Sequence, residues 1–100
     1  MPQPQIHIPL RQIEAFCRRW RIKEFSLFGS VLREDFRPDS DIDVLVEFEA
    51  GHVPGLAFFT MQCELSALLG RRVDLNTSAF LSRHFRDQVS REAEVQYDAA

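Results

Sequence analysis

The chain has 100 residues, 45% hydrophobic and 27% charged, a balance typical of one compact globular domain and not of a disordered segment. Its formal net charge is -3, so no general basic surface favours a nucleic-acid substrate. Its apolar runs are shorter than the roughly 20 residues that span a bilayer. We therefore expect one cytoplasmic domain, residues 1–100, in which residues 1–9 form an extended N-terminal arm.

Two cysteines lie inside apolar helical patterns and outside any metal-ligand spacing. Cys17 and Cys63 are therefore interpreted as reduced thiols of the core rather than as a disulfide or a metal site.

The first half of the chain predicts a helix, a strand and a turn. An amphipathic helix is expected over Leu10–Trp20, because its apolar residues recur at helical spacing. A short β-prone run, Glu24–Phe28, stops at Gly29. The segment Ser30–Phe36 could form a turn of helix, and Arg37–Ser40 has the composition of a turn.

A second strand is predicted over Asp41–Phe48, where side chains alternate between two faces. One face is purely apolar, and the other begins with two acids. The residues of the apolar face are Ile42, Val44, Val46 and Phe48. A loop at residues 50–55 follows this strand.

The remainder predicts helix, strand and helix. The helix Leu56–Leu69 is closed by Gly70, and Arg72–Asn76 is a third strand. Ser78 can cap a last helix with an apolar stripe at i, i+4 spacing. The apolar stripe of this helix consists of Leu81, Phe85, Val89 and Ala93. After the helix, Val95 and Tyr97 are expected to dock the tail against the domain. The order predicts an α/β (α+β) fold, a small mixed sheet of three to four strands flanked by helices.

A Gly-Ser dipeptide, Gly29-Ser30, ends the first strand and leads into a helical segment. Glycine lets the backbone approach a phosphate closely, and a serine hydroxyl can add a hydrogen bond to it. Most such dipeptides are simply turns, so this feature alone indicates a phosphate site only weakly.

Asp41 and Asp43 lie two residues apart on one strand, so their carboxylates project from the same face. Adjacent like charges destabilise a sheet, and a bound divalent cation with oxygen ligands, such as Mg²⁺, removes that conflict. The alternative is a solvated strand start beside a turn. Asp74, in the third strand, is either an exposed alternation position or a third carboxylate at the same surface. Three carboxylates around two metal ions suit in-line nucleotidyl transfer.

Taken together, these motifs resemble a known family. The run "FGSVLREDFRPDSDIDVLVEF" holds Gly29-Ser30, ten intervening residues and Asp41-Ile42-Asp43. It is similar to the signature of the DNA polymerase beta-like nucleotidyltransferase superfamily, and within it to the small prokaryotic MNT-type (minimal nucleotidyltransferase) domains. These domains are often the antitoxin partners of HEPN-domain toxins. The resemblance continues through "RRVDLNT" and covers about residues 10–97.

The resemblance implies a nucleotidyltransferase fold and a role for each matched residue. Gly29 and Ser30 would bind the nucleotide phosphates, and Arg33 would contact phosphate or support the loop. The carboxylates Asp41, Asp43 and Asp74 would be the catalytic residues and would hold two Mg²⁺ ions.

The resemblance also implies ATP as substrate and a tyrosine of a HEPN-type toxin as acceptor, whereas the sequence leaves open whether the protein forms homo- or hetero-oligomers. Two alternatives remain open: an antitoxin that neutralises its partner by binding alone, and a small-molecule nucleotidyltransferase. The last helix also carries Arg83, Arg86 and Arg91, which could meet a phosphate or an acidic partner, although a solvated helix face is the simpler interpretation.

Overall fold

The computed structural model describes residues 7–33, 37, 39–52, 54–77 and 83–99, with only the backbone described at 83–86 and 90. The chain alternates helices and strands along its length. The elements are α1 (Leu10–Arg19), β1 (Ile22–Phe28), a 3₁₀ turn (Gly29–Leu32), β2 (Ile42–Phe48), α2 (Ala57–Leu69), β3 (Val73–Thr77), α3 (Arg83–Glu92) and β4 (Glu94–Asp98).

The four strands form one mixed sheet in the order β3-β2-β1-β4. The β1 strand is antiparallel to both β2 and β4, whereas β2 and β3 run parallel. The mixed sheet and its flanking helices confirm the predicted fold class. The tail residues Val95 and Tyr97 belong to a full edge strand, because β4 pairs with β1 along its length.

One face of the sheet packs against α1 and α2 and holds the main hydrophobic core. Alternation along β2 directs Ile42, Val44 and Val46 into this core, as predicted from the sequence. Ile13 and Phe16 enter it from α1, and Met61 and Leu65 enter it from α2. Burial of these side chains is the main stabilising term for the fold.

The opposite face of the sheet carries a smaller cluster beneath α3. Phe28 of β1, Leu45 of β2 and Val89 of α3 are buried together, and Ala93 packs against them. This cluster attaches α3 to the face from which the acidic side chains of β2 and β3 project.

The helices of the main core are also joined by polar contacts at their surface. Arg19 of α1 forms an ion pair with Glu64 of α2, and the Trp20 indole Nε1 donates to the same carboxylate at 3.4 Å. The Arg19 guanidinium lies 5.3 Å from the centre of the Trp20 ring, within the range of a cation–π contact. These contacts connect α1 to α2 across the rim of the core.

The free edge of β3 is covered by side chains of α2. Val73 N–H donates to Ser66 Oγ, and Leu75 N–H donates to Gln62 Oε1, each at 3.1 Å. Gln62 and Ser66 lie one helical turn apart, so both face the same strand. Two edge amides are thereby satisfied on either side of Asp74.

Several sequence predictions are corrected in detail. The first helix ends at Arg19, one residue early, and Asp41 lies immediately before β2 rather than within it. Cys63 is exposed and is not a core residue, whereas burial raises the pKa of the Cys17 thiol to about 12. The proposed cap Ser78 and residues 1–6 of the arm lie outside the described part of the chain. Among the described helices, none is long and apolar enough to cross a membrane.

Candidate active site

The predicted site residues converge at one end of the sheet because of strand direction. The β1 strand ends where the antiparallel β2 begins, so Phe28 pairs with Asp43. The β3 strand runs parallel to β2 and begins at the same end, so Asp43 pairs with Asp74. The Gly-Ser turn and the carboxylates from two further strands therefore become neighbours, although they are distant in sequence.

Gly29 lies directly against the side chain of Asp43. Its φ is +74°, in the left-handed region that favours glycine. A Cβ atom built on Gly29 would overlap the Asp43 Oδ2 atom and would lie 3.2 Å from the Asp43 carboxyl carbon. Gly29 thus lets the Asp43 carboxylate lie directly against the turn that follows β1.

The 3₁₀ turn after Gly29 brings Ser30 and Arg33 to the same site. The backbone N–H of Arg33 donates to the Ser30 carbonyl at 2.9 Å and closes the turn. Val31 of this turn is fully buried, which holds the turn against the core. The Arg33 side chain is exposed, and its positive charge acts on Asp43.

The three carboxylates interact electrostatically across β2 and β3. The pKa of Asp43 is raised from 3.8 to about 6, chiefly by burial and then by the negative charges of Asp74 and Asp41. The Arg33 guanidinium opposes this shift but does not cancel it. Clustered carboxylates with a raised pKa are typical of sites that bind cations or transfer protons.

The carboxylates are adjacent but do not form a closed metal cage. Among the described residues, no group of three or more histidine, cysteine or acidic side chains is arranged to hold a metal ion. Asp41 and Asp74 are exposed, and Asp43 is half-buried. Such an open arrangement suits Mg²⁺, which usually takes one or two protein carboxylates and completes its shell with water and substrate phosphates.

A cleft of about 330 Å³ lies between the Gly-Ser turn and α3. It brings together four predicted site residues, and α3 supplies three residues that the sequence did not indicate as functional. The predicted residues are Gly29, Ser30, Arg33 and Asp43. From α3 come Gln88, Val89 and Glu92.

The contribution of α3 had only a weak sequence signal. Gln88 and Glu92 are one turn apart beside the buried Val89, so they share its side of the helix. Arg91, interpreted above as part of a solvated face, lines an adjoining cavity of about 340 Å³ together with Gly29 and Arg33. Asp41 instead lines a separate cavity on the Arg72 side.

The chain matches the nucleotidyltransferase domain family over residues 10–97. It is 40% identical over 75 residues to the protein adenylyltransferase MntA of Thermococcus cleftensis, a match that covers 74% of each chain.

Solved structures with the same fold include chains of toxin-antitoxin complexes. One complex with AMP-PNP contains a chain that is 22% identical, with a TM-score of 0.75 over 92% of this chain and 75% of that chain. Another solved structure is of a tri-AMPylated Shewanella oneidensis HEPN toxin in complex with an MNT antitoxin. Its matching chain is 23% identical to this protein, with a TM-score of 0.67 over 90% of this chain and 70% of that chain.

The Gly-Ser turn and the carboxylates of β2 and β3 thus occur in a fold shared with these proteins, and the family match spans nearly the whole chain. The chain therefore belongs to the nucleotidyltransferase domain family, and within it to the MNT-type relatives of the protein adenylyltransferase MntA.

Proposed function

We propose that this protein transfers AMP from ATP to a hydroxyl group of a partner protein, and that the partner is a HEPN-type toxin whose activity the transfer blocks. The observation that carries the proposal is the contact of Gly29 with the Asp43 carboxylate, beside Asp74 on the neighbouring strand. A phosphate-binding turn and a carboxylate cluster in contact are the parts that nucleotidyl transfer requires.

The triphosphate is assigned to the cleft beside the Gly-Ser turn. Gly29 leaves the backbone accessible, the Ser30 hydroxyl can donate to a phosphate oxygen, and the Arg33 guanidinium supplies positive charge. Gln88 and Glu92 of α3 border the same cleft, where they can contact the ribose or the base. These groups hold the nucleotide in place, which supplies much of the rate enhancement in phosphoryl transfer.

The carboxylate oxygens of Asp41, Asp43 and Asp74 are assigned as ligands of two Mg²⁺ ions. Their chemistry fits, because all three are hard oxygen donors. The pKa of Asp43 is raised first by burial and then by the negative charges of Asp74 and Asp41, and a bound cation would relieve that second contribution. When bound, Mg²⁺ neutralises charge on the triphosphate and makes the acceptor hydroxyl easier to deprotonate.

The transfer step forms one bond and breaks one. The acceptor oxygen bonds to the α-phosphorus of ATP, and the bond from that phosphorus to the bridging oxygen breaks, releasing pyrophosphate. Asp74 is assigned to accept the hydroxyl proton and pass it to water, while Ser30 and Arg33 retain the departing phosphates. Proximity and charge neutralisation are the contributions of the protein.

A protein acceptor is supported by the relatives. The Thermococcus cleftensis relative is a protein adenylyltransferase, and the Shewanella oneidensis structure holds an AMPylated HEPN toxin beside its MNT chain. We also propose a cytoplasmic location.

The test combines the protein, Mg²⁺, ATP labelled on its α-phosphate and the protein encoded by the adjacent reading frame. We expect the label to appear on the partner, and Asp41→Asn/Asp43→Asn to abolish labelling. Asp87→Asn is the matched control, since Asp87 is an exposed acid on α3 outside the proposed ligand set.

The outcomes separate the alternatives named above. If the wild type leaves no label on the partner yet neutralises it as well as Asp41→Asn/Asp43→Asn does, the protein is an antitoxin that acts by binding. Label on a small hydroxyl compound and none on the partner would indicate a small-molecule nucleotidyltransferase.

A further inference from the structure

The helix α2 exposes apolar side chains along the side that faces away from the core. Leu56, immediately before the helix, is 87% exposed, and Phe59 is 69% exposed. Cys63, Ala67 and Gly70 continue the same side at intervals of three or four residues, and all three are exposed. These five residues, which we call the outer face of α2, carry no charge over about four helical turns.

The polar side chains that flank the outer face are engaged within the chain. On one side, Gln62 and Ser66 accept hydrogen bonds from the edge amides of β3. On the other side, Glu64 forms its ion pair with Arg19 of α1. Thr60, at the margin of the outer face, is uncharged. The face can therefore be covered without leaving a charged group buried and unpaired.

The other helices of the protein are exposed in the ordinary way. The solvent side of α1 carries Arg11 and Arg18, and that of α3 carries Asp87 and Arg91. A surface helix normally presents charged residues to water, whereas a helix that is apolar all round is normally covered. A continuous exposed apolar patch marks an interaction surface. The outer face of α2 thus has the composition of an interface.

We propose that the outer face of α2 is the contact between two copies of this chain, which form a two-fold symmetric dimer with their α2 helices antiparallel. In a dimer of this symmetry, the same patch on both copies must be complementary to itself. The proposal concerns assembly and does not depend on the chemistry proposed above.

A two-fold axis that crosses the outer face at Cys63 pairs large side chains with small ones. Residues equally far from the axis, one from each copy, then meet. Phe59 and Ala67 lie four residues on either side of Cys63, so the phenyl ring of one copy packs over the alanine of the other. Leu56 and Gly70 lie seven residues on either side and form the next pair. A Cβ atom at Gly70 would meet nothing within 4 Å, which leaves room for the leucine.

The charge and size of the outer face fit a reversible dimer. A charged residue near a two-fold axis would be brought close to its own counterpart and would repel it, and the outer face carries none. Two helices of 13 residues packed along their length bury less surface than a standard stable interface. We therefore expect a dimer that dissociates on dilution.

The proposed toxin partner reaches a different side of the molecule. The active-site cleft lies on the face of the sheet that α3 covers, whereas α2 packs on the opposite face. Gly70 lines a cavity with Asp41, but Leu56 lies on the order of 20 Å further along the helix. An acceptor hydroxyl at the carboxylates therefore leaves Leu56 and Phe59 uncovered, and the dimer leaves both active sites open.

Sedimentation equilibrium of the full chain, from low to high micromolar concentration, tests the dimer. We expect the average mass to rise from 11.6 kDa toward twice that value. Phe59→Glu should stay monomeric at every concentration, because it buries two charges in the contact. Leu10→Glu is the matched control, since Leu10 is an exposed apolar residue of α1 outside the outer face, and it should dimerise like the wild type. Circular dichroism checks that both variants fold.

A second variant tests the antiparallel register. In the proposed dimer, Phe59→Glu of one copy lies against Ala67→Lys of the other, whereas within one chain these positions are two turns apart and do not meet. The double variant Phe59→Glu/Ala67→Lys should therefore recover the association that Phe59→Glu alone loses.

Thiol cross-linking locates the axis. Cys63 of the two copies should be joined rapidly by a short bis-maleimide, and Cys63→Ser should give no linked dimer. The other cysteine, Cys17, is buried, and its thiol pKa is raised to about 12, so it does not compete. In Cys63→Ser/Ala67→Cys the two thiols are separated by about 12 Å along the helices, and we expect linking at least tenfold more slowly.

Three results would overturn the inference. A wild type that remains at the mass of one chain at high micromolar concentration does not dimerise. A dimer that persists in Phe59→Glu uses another surface. Equal linking rates for the cysteines at positions 63 and 67 would reflect random collision and not an axis at Cys63.

Discussion

Gly29 and Gly70 both adopt a left-handed backbone, with φ of +74° and +70°, but their surroundings differ. A Cβ atom at Gly70 would meet nothing within 4 Å, whereas one at Gly29 would overlap the Asp43 carboxylate. Each position imposes the same backbone cost on a larger residue, about 1–2 kcal/mol. Only Gly29 also controls where a site carboxylate lies.

We therefore expect Gly29→Ala and Gly70→Ala to lower the free energy of unfolding by similar amounts, about 1–2 kcal/mol each. The overlapping atom at Gly29 is the end of a short side chain, which can rotate away. Gly29→Ala should nevertheless weaken AMP-PNP binding in Mg²⁺ tenfold or more, because the rotated carboxylate leaves the site. Urea unfolding and calorimetric titration measure the two effects, and equal AMP-PNP affinities for the two variants would contradict this role of Gly29.

Because the pKa of Asp43 is raised, the free energy of unfolding of the metal-free protein should depend on pH. Between its ordinary value of 3.8 and the folded value of about 6, the folded protein retains a proton that the unfolded chain has lost. The contribution of this retained proton to the free energy of unfolding is fully present below pH 3.8 and is lost as the pH rises through about 6. Above that pH, the charged carboxylate destabilises the metal-free fold.

Asp43→Asn should consequently become more stable than the wild type as the pH rises from 5 to 8 in EDTA. Asp43 is only half-buried, so solvent screening should keep the gain to no more than about 1 kcal/mol. Thermal unfolding across this pH range measures it, with the exposed Asp87→Asn as the charge-matched control. A stability difference that does not change with pH would show that the carboxylate does not titrate as described.

At the scale of the element, β3 depends on α2 for its position. Its outer edge has Gln62 and Ser66 in place of another strand, and Asp74 lies between the two amides they bind. Removing one acceptor leaves an edge amide without its protein partner, at a cost of about 1 kcal/mol.

We expect Gln62→Ala to lower stability by about 1 kcal/mol and to reduce AMP transfer several-fold, because the backbone beside Asp74 is less firmly held. Gln62→Glu keeps an acceptor oxygen and should retain most of both properties. Thr60→Ala, an exposed change on the same helix, is the control. Denaturant midpoints and initial transfer rates test the expectation, which is wrong if Gln62→Ala transfers AMP at the wild-type rate.

At the scale of the whole molecule, the site joins three strands and α3, so occupying it should stabilise the entire fold. Mg²⁺ without nucleotide should have little effect, because the described carboxylates form no closed ligand set. Mg²⁺ with AMP-PNP at 100 times its dissociation constant should add about 2.7 kcal/mol.

That gain corresponds to a rise in melting temperature on the order of 10 °C for a domain of this size. Thermal unfolding with Mg²⁺, with AMP-PNP and with both together measures it. Asp41→Asn/Asp43→Asn should lose the rise. An equal rise in EDTA would show that the nucleotide binds without the proposed ions.

Local patterns in the sequence were sufficient to predict most of the helices and strands. Alternation along Asp41–Phe48 predicted both faces of β2, and helical spacing predicted α1 and α2 to within one residue at the described ends. The turn at Gly29, the acid pair and Asp74 were visible because each depends on residue type and short spacing. The family resemblance combined them into one site.

Only the tertiary structure decided which distant groups meet. The parallel pairing of β3 with β2 sets Asp74 beside Asp43, and the packing of Val89 on Phe28 and Leu45 brings α3 over the same face. The pairing of β4 with β1, and the cavity formed by Arg71 and Arg72 next to Asp41, have the same origin. Strand order and helix placement arise from burying apolar surface across the whole chain, and no local spacing of residues encodes them.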